Sequence, residues 1–155
     1  MIRAGDILLF RSPWWCRWLM TYYHAGVAYV VGERVSVIDA SWRGVKLQRL
    51  RGHGVAVRPK GATEQAGFIA AGWAMSQVGG AYNYRQAFEI LLRAFKELLK
   101  GEQLARALSY ACSPLSVQSW RQADVRFTNA PEGRESPDDI ARGNVVIVGE
   151  FGGGT

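Results

Sequence analysis

Residues 24–41 read HAGVAYVVGERVSVIDAS, and this stretch decides the expected fold. Two runs rich in valine, with isoleucine and tyrosine, flank the pair Gly32 and Glu33. A two-residue loop with glycine first is typical of a β-hairpin. The pattern therefore predicts an antiparallel hairpin in which Val31 pairs with Arg34.

The register of this hairpin brings a histidine and a carboxylate together. Counting from the turn, His24 faces Ser41, and Asp39 lies on the same face one diagonal step away. Diagonal neighbours in an antiparallel pair are roughly 7–8 Å apart, a gap that the two side chains can span. Glu33 is excluded because it lies more than ~20 Å along the strand. We therefore expect Asp39 to hold the His24 ring. A loop one residue longer or shorter would turn Asp39 to the other face.

The sequence around the hairpin predicts strands before Pro59 and helices after it. Apolar runs separated by glycines read as strands, and leucines and phenylalanines at helical spacing read as an amphipathic helix. The further strands are expected at residues 6–10, 45–50, 55–58 and 145–148. Helices are expected at residues 66–78, over a segment that ends at Gly101, and from Ser113 and Pro114 onward. Residues 137–140 resemble a short turn or helical cap.

Strands followed by helices predict an α+β fold in one domain, residues 1–150, followed by a flexible glycine-rich tail at 151–155. The 155 residues suffice for one core, and 48% hydrophobic with 21% charged residues is ordinary globular composition. No apolar run reaches the ~18 residues needed to cross a bilayer. The first residues lack the apolar segment of a secretory signal, so we expect synthesis in the cytoplasm without a signal peptide.

Few residues are available for metal or disulfide chemistry. The cysteines are Cys16 and Cys112, and the histidines are His24 and His53. Their spacing matches no zinc-ligand pattern, and two cysteines are too few for a disulfide framework. We expect neither metal nor cofactor.

Cys112 stands where the third helix begins. The free N–H groups and the positive end of the helix dipole favour a thiolate there. The same N–H groups, with Ser113 among them, would hold an oxyanion. A nearby His24 with Asp39 behind it would complete a nucleophile, base and orienting group. A cysteine beside an apolar segment is also commonly a buried small hydrophobe, and a strand histidine is commonly only packed, so both interpretations stay open.

Six motifs occur in order along nearly the whole chain. They are GDILLF at residues 5–10, HAGVA at 24–28, VIDA at 37–40 with Gly-Val at 44–45, GAYNY at 80–84, CSPL at 112–115 and SPDDI at 136–140. Together they resemble the circularly permuted branch of the NlpC-type papain-like cysteine hydrolases, which includes relatives of lecithin retinol acyltransferase.

The resemblance implies a permuted papain-like fold whose N-terminal antiparallel sheet precedes the helix that carries the nucleophile. It gives Cys112, His24 and Asp39 their catalytic roles and makes Tyr82 a site-lining residue. Pro114 departs from the family pattern, since relatives often have a polar residue there. The departure affects the expected hydrogen bonding at the helix start.

The leading hypothesis is a cysteine peptidase or amidase that cleaves cell-wall peptidoglycan through a thioester, as an endolysin does. Its context would be phage-encoded, virion-associated or otherwise delivered. The net charge of +6 favours an anionic wall polymer as partner, although a solubilising arginine-rich surface explains the charge equally well.

Two alternatives remain open. A lipid-directed thioesterase, phospholipase or acyltransferase would use the same cysteine and histidine at a membrane surface. Five aromatic residues precede His24 and form an acyl groove, a membrane-edge belt, a sugar-stacking wall or part of the core. They are Trp14, Trp15, Trp18, Tyr22 and Tyr23, and Trp15 is the one expected in the substrate site.

The other alternative is a non-catalytic basic binding module, although no nucleic-acid motif is present. The oligomeric state is left open.

Overall fold

The computed structural model describes residues 1–14, 17, 20–41, 44–79, 113–130 and 135–152 of the chain. Within these ranges the chain forms six strands and three helices. The strands are β1 Ile7–Arg11, β2 Tyr22–Val31, β3 Arg34–Ser41, β4 Gly44–Arg49, β5 Gly54–Pro59 and β6 Val145–Phe151. The helices are α1 Glu64–Ser76, α2 Ser113–Arg121 and α3 Pro137–Arg142.

The strands form one antiparallel sheet in the order β4-β3-β2-β1-β5-β6. The first five come from the N-terminal part of the chain, and β6 returns after the helices to pair with β5. The α+β fold predicted from the sequence is confirmed. The hairpin register is confirmed as well, because Val31 pairs with Arg34 and Gly26 with Asp39. Gly32 has a φ of +59°, a conformation that favours glycine in this turn.

Alternation along the strands divides the sheet into two faces. One face packs against the helices and holds the main apolar layer. Its members include Ile7, Leu9, Ala25, Val27, Ile38, Ala40, Val45, Val55 and Val57, with Ala70 and Ala74 from α1 and Leu115, Val117 and Trp120 from α2. The opposite face carries a second cluster, formed by Leu8, Phe10, Ala28, Val37, Ala56 and Phe151. Adjacent residues on a strand therefore point to opposite faces of the sheet.

The last strand is longer than the sequence predicts. We expected the last strand to end at Val148 and the tail to begin at residue 151, but β6 continues to Phe151. The Phe151 ring is buried and lies 5.2 Å from the Phe10 ring, centroid to centroid. Burial against a distant phenylalanine extends the strand past Gly149, where the local sequence indicates a stop.

The helices begin close to the predicted positions. Helix α1 starts at Glu64 because the Thr63 hydroxyl accepts a hydrogen bond from the Ala66 N–H, a standard N-cap. Helix α3 starts after Ser136, which forms a capping box with Asp139. The helix expected to end at Gly101 lies outside the described residues. None of the helices in the described ranges is long and apolar enough to cross a bilayer.

Candidate functional site

A histidine and a carboxylate meet across β2 and β3, as the hairpin register predicts. The His24 Nε2 atom lies 2.9 Å from Asp39 Oδ2. Both side chains are mostly buried, with 20% and 13% of their surfaces exposed. The pair is thus a hydrogen bond partly shielded from solvent.

Gly26 allows this contact. It is the direct partner of Asp39 in the ladder and lies two residues after His24. A Cβ added at Gly26 would overlap a methyl group of Val37 and come within 3.0 Å of the Ile38 carbonyl oxygen. The glycine of the HAGVA motif therefore lets β3 approach β2 closely enough for Asp39 to hold the imidazole.

The other oxygen of Asp39 is held from β4. The Gln48 side-chain amide donates through Nε2 to Asp39 Oδ1 at 2.9 Å. Burial acts to raise the pKa of Asp39, but the hydrogen bonds from His24 and Gln48 and the charge of a protonated His24 outweigh it. The pKa of Asp39 is therefore lowered from its ordinary 3.8, and the carboxylate is ionised near neutral pH.

The Asp39 carboxylate fixes the tautomer of His24. An ionised carboxylate accepts hydrogen bonds and donates none, so it favours a proton on Nε2. The other ring nitrogen, Nδ1, then carries the lone pair and is the atom able to take a proton from a neighbouring acid. Asp39 also stabilises the imidazolium that results. The arrangement suits general-base chemistry.

Two aromatic rings lie beside the imidazole. The Phe10 centroid is 5.4 Å from that of His24, and Tyr23 stacks at 6.1 Å with an interplanar angle of 28°. The β1–β2 register shifts between Phe10 and Arg11, which lets Tyr23 and His24 both contact Phe10. Tyr23 is 46% exposed and Trp14 is 81% exposed, so apolar surface is available near this end of β2.

Helix α3 fixes the start of β2. The Asp138 carboxylate accepts hydrogen bonds from the Thr21 and Tyr22 backbone N–H groups at 3.2 and 3.0 Å. These contacts hold the segment that leads directly into His24. The late SPDDI motif therefore has two structural tasks, since Asp139 caps its own helix and Asp138 fixes the strand.

Helix α2 begins toward the end of the sheet that holds this pair. Leu115, in its first turn, packs in one cluster with Ala40 and Val45, which lie at the same end of β3 and β4 as Asp39. Trp120, near its last turn, donates through Nε1 to the Gly5 carbonyl ahead of β1, toward the opposite end. The helix thus runs along the sheet with its N-terminus directed to the His24 end. It lies on the face opposite the imidazole.

The structure describes three of the six predicted site residues. His24 and Asp39 are brought together, and Ser113 is the fully buried first residue of α2. Cys112, Tyr82 and Trp15 lie outside the described residues. Gln48, Phe10 and Asp138 contribute to the site but were not predicted from the sequence. Phe10 and Asp138 were signalled by their places in the first and last motifs, and Gln48 lies in no motif.

No group of three His, Cys, Asp or Glu side chains able to hold a metal ion occurs in the part of the chain that the structure describes. No protein-family model matches the chain, and no curated protein shows significant sequence similarity to it.

Proposed function

We propose that the protein is a circularly permuted papain-like cysteine hydrolase that cleaves amide bonds, with bacterial peptidoglycan peptides as the substrate class. Cys112 is the nucleophile, His24 the base and Asp39 the orienting carboxylate. The observation that carries the proposal is the 2.9 Å contact between His24 and Asp39 at the sheet end toward which α2 begins. Cys112 immediately precedes that helix in the sequence.

The chemistry follows acyl transfer through a thioester. Nδ1 of His24 takes the thiol proton, and the Cys112 sulfur attacks the amide carbon. Backbone N–H groups at the start of α2 stabilise the oxyanion, and the imidazolium returns its proton to the leaving amine. Water, deprotonated by the same imidazole, then hydrolyses the thioester and restores the thiol.

The position of the imidazole constrains the approach of the sulfur. Because His24 and α2 occupy opposite faces of the sheet, the proposal requires the thiol to reach the imidazole past the end of β2 and β3. The start of α2 lies toward this end, which is the geometry that such an approach needs.

Selective alkylation tests the pairing. An unactivated cysteine is only a few per cent thiolate near pH 7, so an activated Cys112 should react with iodoacetamide roughly tenfold faster or more. The experiment uses Cys16→Ser as the background and compares His24→Ala with His53→Ala, which removes the exposed second histidine. We expect the first to slow alkylation and the second to leave it unchanged. Equal rates in both variants would refute the Cys112–His24 pair.

Substrate class is tested separately. Purified peptidoglycan fragments and phospholipid vesicles are incubated with the protein and analysed by mass spectrometry, with Cys112→Ser as the inactive control. We expect cleaved wall peptides. The exposed rings of Trp14 and Tyr23 favour one alternative, a lipid-directed acyl hydrolase or acyltransferase, which would release or transfer a fatty acyl chain instead. A non-catalytic basic binding module would leave both substrates intact.

A further inference from the structure

We propose that Gln48 is a positioning residue that sets the function of His24 through Asp39. Its amide holds one carboxylate oxygen so that the other stays directed at the imidazole. The inference deepens the proposed function and rests on it only where the rate of Cys112 alkylation is the readout. The titration of the His24 imidazole is a second readout that does not depend on that function.

The register of β3 and β4 explains why such a group is needed. Asp39 pairs directly with Lys46, and Val37 pairs with Gln48, so Gln48 is a diagonal neighbour of Asp39. Lys46 and Gln48 are two residues apart on β4 and share the face of Asp39. The strand thus presents both a neutral donor and an ammonium group to the same carboxylate.

Two donors on one strand would compete for the carboxylate. An ammonium group paired with Asp39 would draw it toward the sheet edge and weaken its hold on His24. The Gln48 amide instead occupies Oδ1 at 2.9 Å, while Oδ2 remains on His24 Nε2 at 2.9 Å. A neutral donor adds no charge that competes with the imidazolium. Gln48 therefore orients Asp39 without cancelling its electrostatic effect on His24.

The exposed position of Gln48 allows its role in the site to be distinguished from a contribution to fold stability. The side chain is exposed on an edge strand, where substitutions away from special contacts alter the free energy of unfolding little. Its specific contact is with a side chain of the candidate site. Removing the amide should therefore change the behaviour of His24 more than the stability of the fold.

The test uses Gln48→Met, which keeps the length of the side chain and removes the donor. Gln65→Met, at an exposed position on α1, is the matched control. The first readout is the titration of the His24 imidazole followed by NMR. We expect its midpoint to move to lower pH in Gln48→Met, because a less well-oriented carboxylate stabilises the imidazolium less, and to stay unchanged in Gln65→Met.

The second readout is the rate of Cys112 alkylation at pH 7. We expect a decrease of roughly tenfold in Gln48→Met, the size expected when a hydrogen bond to a charged group is lost. Gln48→Glu provides a second test, since a carboxylate cannot donate but a protonated carboxyl can. We expect Gln48→Glu to weaken the Asp39 contact at pH 7, where two carboxylates would face each other, and to restore it as the pH falls and one of them takes up a proton.

The outcomes separate the two proposals. An unchanged His24 midpoint in Gln48→Met overturns the positioning role, whatever the alkylation rates are. A shifted midpoint supports that role, even in a protein whose alkylation does not depend on His24. Independence of alkylation from His24, as measured with His24→Ala, overturns the proposed function alone.

Discussion

Replacing Arg58 with methionine should destabilise the fold without touching the candidate site. The Asp6 carboxylate is fully buried at the start of β1 and is held by the Arg58 guanidinium from β5. Arg58 Nε donates to Oδ1 at 2.6 Å and Nη2 to Oδ2 at 2.8 Å, and the Arg3 N–H also donates to Oδ2 at 2.7 Å. The hydrogen bonds to Asp6 outweigh burial and raise the pKa of Arg58, so the guanidinium stays charged at neutral pH.

The expected loss of stability arises because Arg58→Met leaves the Asp6 carboxylate buried without its ion-pair partner. Removing one partner of a buried ion pair costs about 3–5 kcal/mol. Because the Arg58 side chain is 20% exposed and Asp6 keeps its contact with the Arg3 amide, we expect the low end, about 3 kcal/mol. For a chain of this length each kcal/mol lowers the Tm by roughly 2–4 °C. The Tm should therefore fall by about 10 °C.

Thermal and urea unfolding followed by circular dichroism measure this cost, with the exposed Arg49→Met as the matched control. The control should stay within about 0.5 kcal/mol of the parent protein. The double variant Asp6→Asn/Arg58→Met buries no charge and should recover at least half of the loss. A loss below about 1 kcal/mol in Arg58→Met, or a double variant as unstable as the single one, would show that the ion pair does not hold β1 to β5.

Three further changes test the site and its support. Asp39→Asn should lower the free energy of unfolding by about 1 kcal/mol at pH 7. Because the folded pKa of Asp39 lies below 3.8, this difference should vanish in urea titrations as the pH falls through that folded value. Gly26→Ala should separate β3 from β2 and weaken the contact between His24 and Asp39, visible as a changed His24 NMR titration in a folded protein. Trp120→Phe removes the hydrogen bond to the Gly5 carbonyl and should lower the free energy of unfolding by about 1–3 kcal/mol in chemical denaturation.

The hairpin shows how far local sequence specifies this structure. A two-residue loop with glycine first permits one register, and that register decides which side chains share a face. The contact between His24 and Asp39 could therefore be predicted by counting from Gly32, and the structure confirms it.

Gln48 could not be found in the same way. Ser41 pairs with Gly44 at the start of the β3–β4 ladder, but the two residues between them carry no recognised turn signature. Without a turn signature to predict the register, the sequence does not indicate which β4 side chain faces Asp39. The last strand posed a related problem, because Phe151 is held by Phe10, a contact between distant parts of the chain.

The irregularity in β2 bears on the proposed function. A regular strand would place Tyr23 and His24 on opposite faces, whereas the register shift beside Arg11 lets both rings contact Phe10. The exposed Tyr23 ring then lies beside the imidazole at the end of the sheet toward which α2 begins. A thiol that approaches past this end would place the substrate carbonyl next to Tyr23 and away from the middle of the sheet. Under the proposed function, the register shift that brings both rings to Phe10 would thus place the substrate at the end of β2.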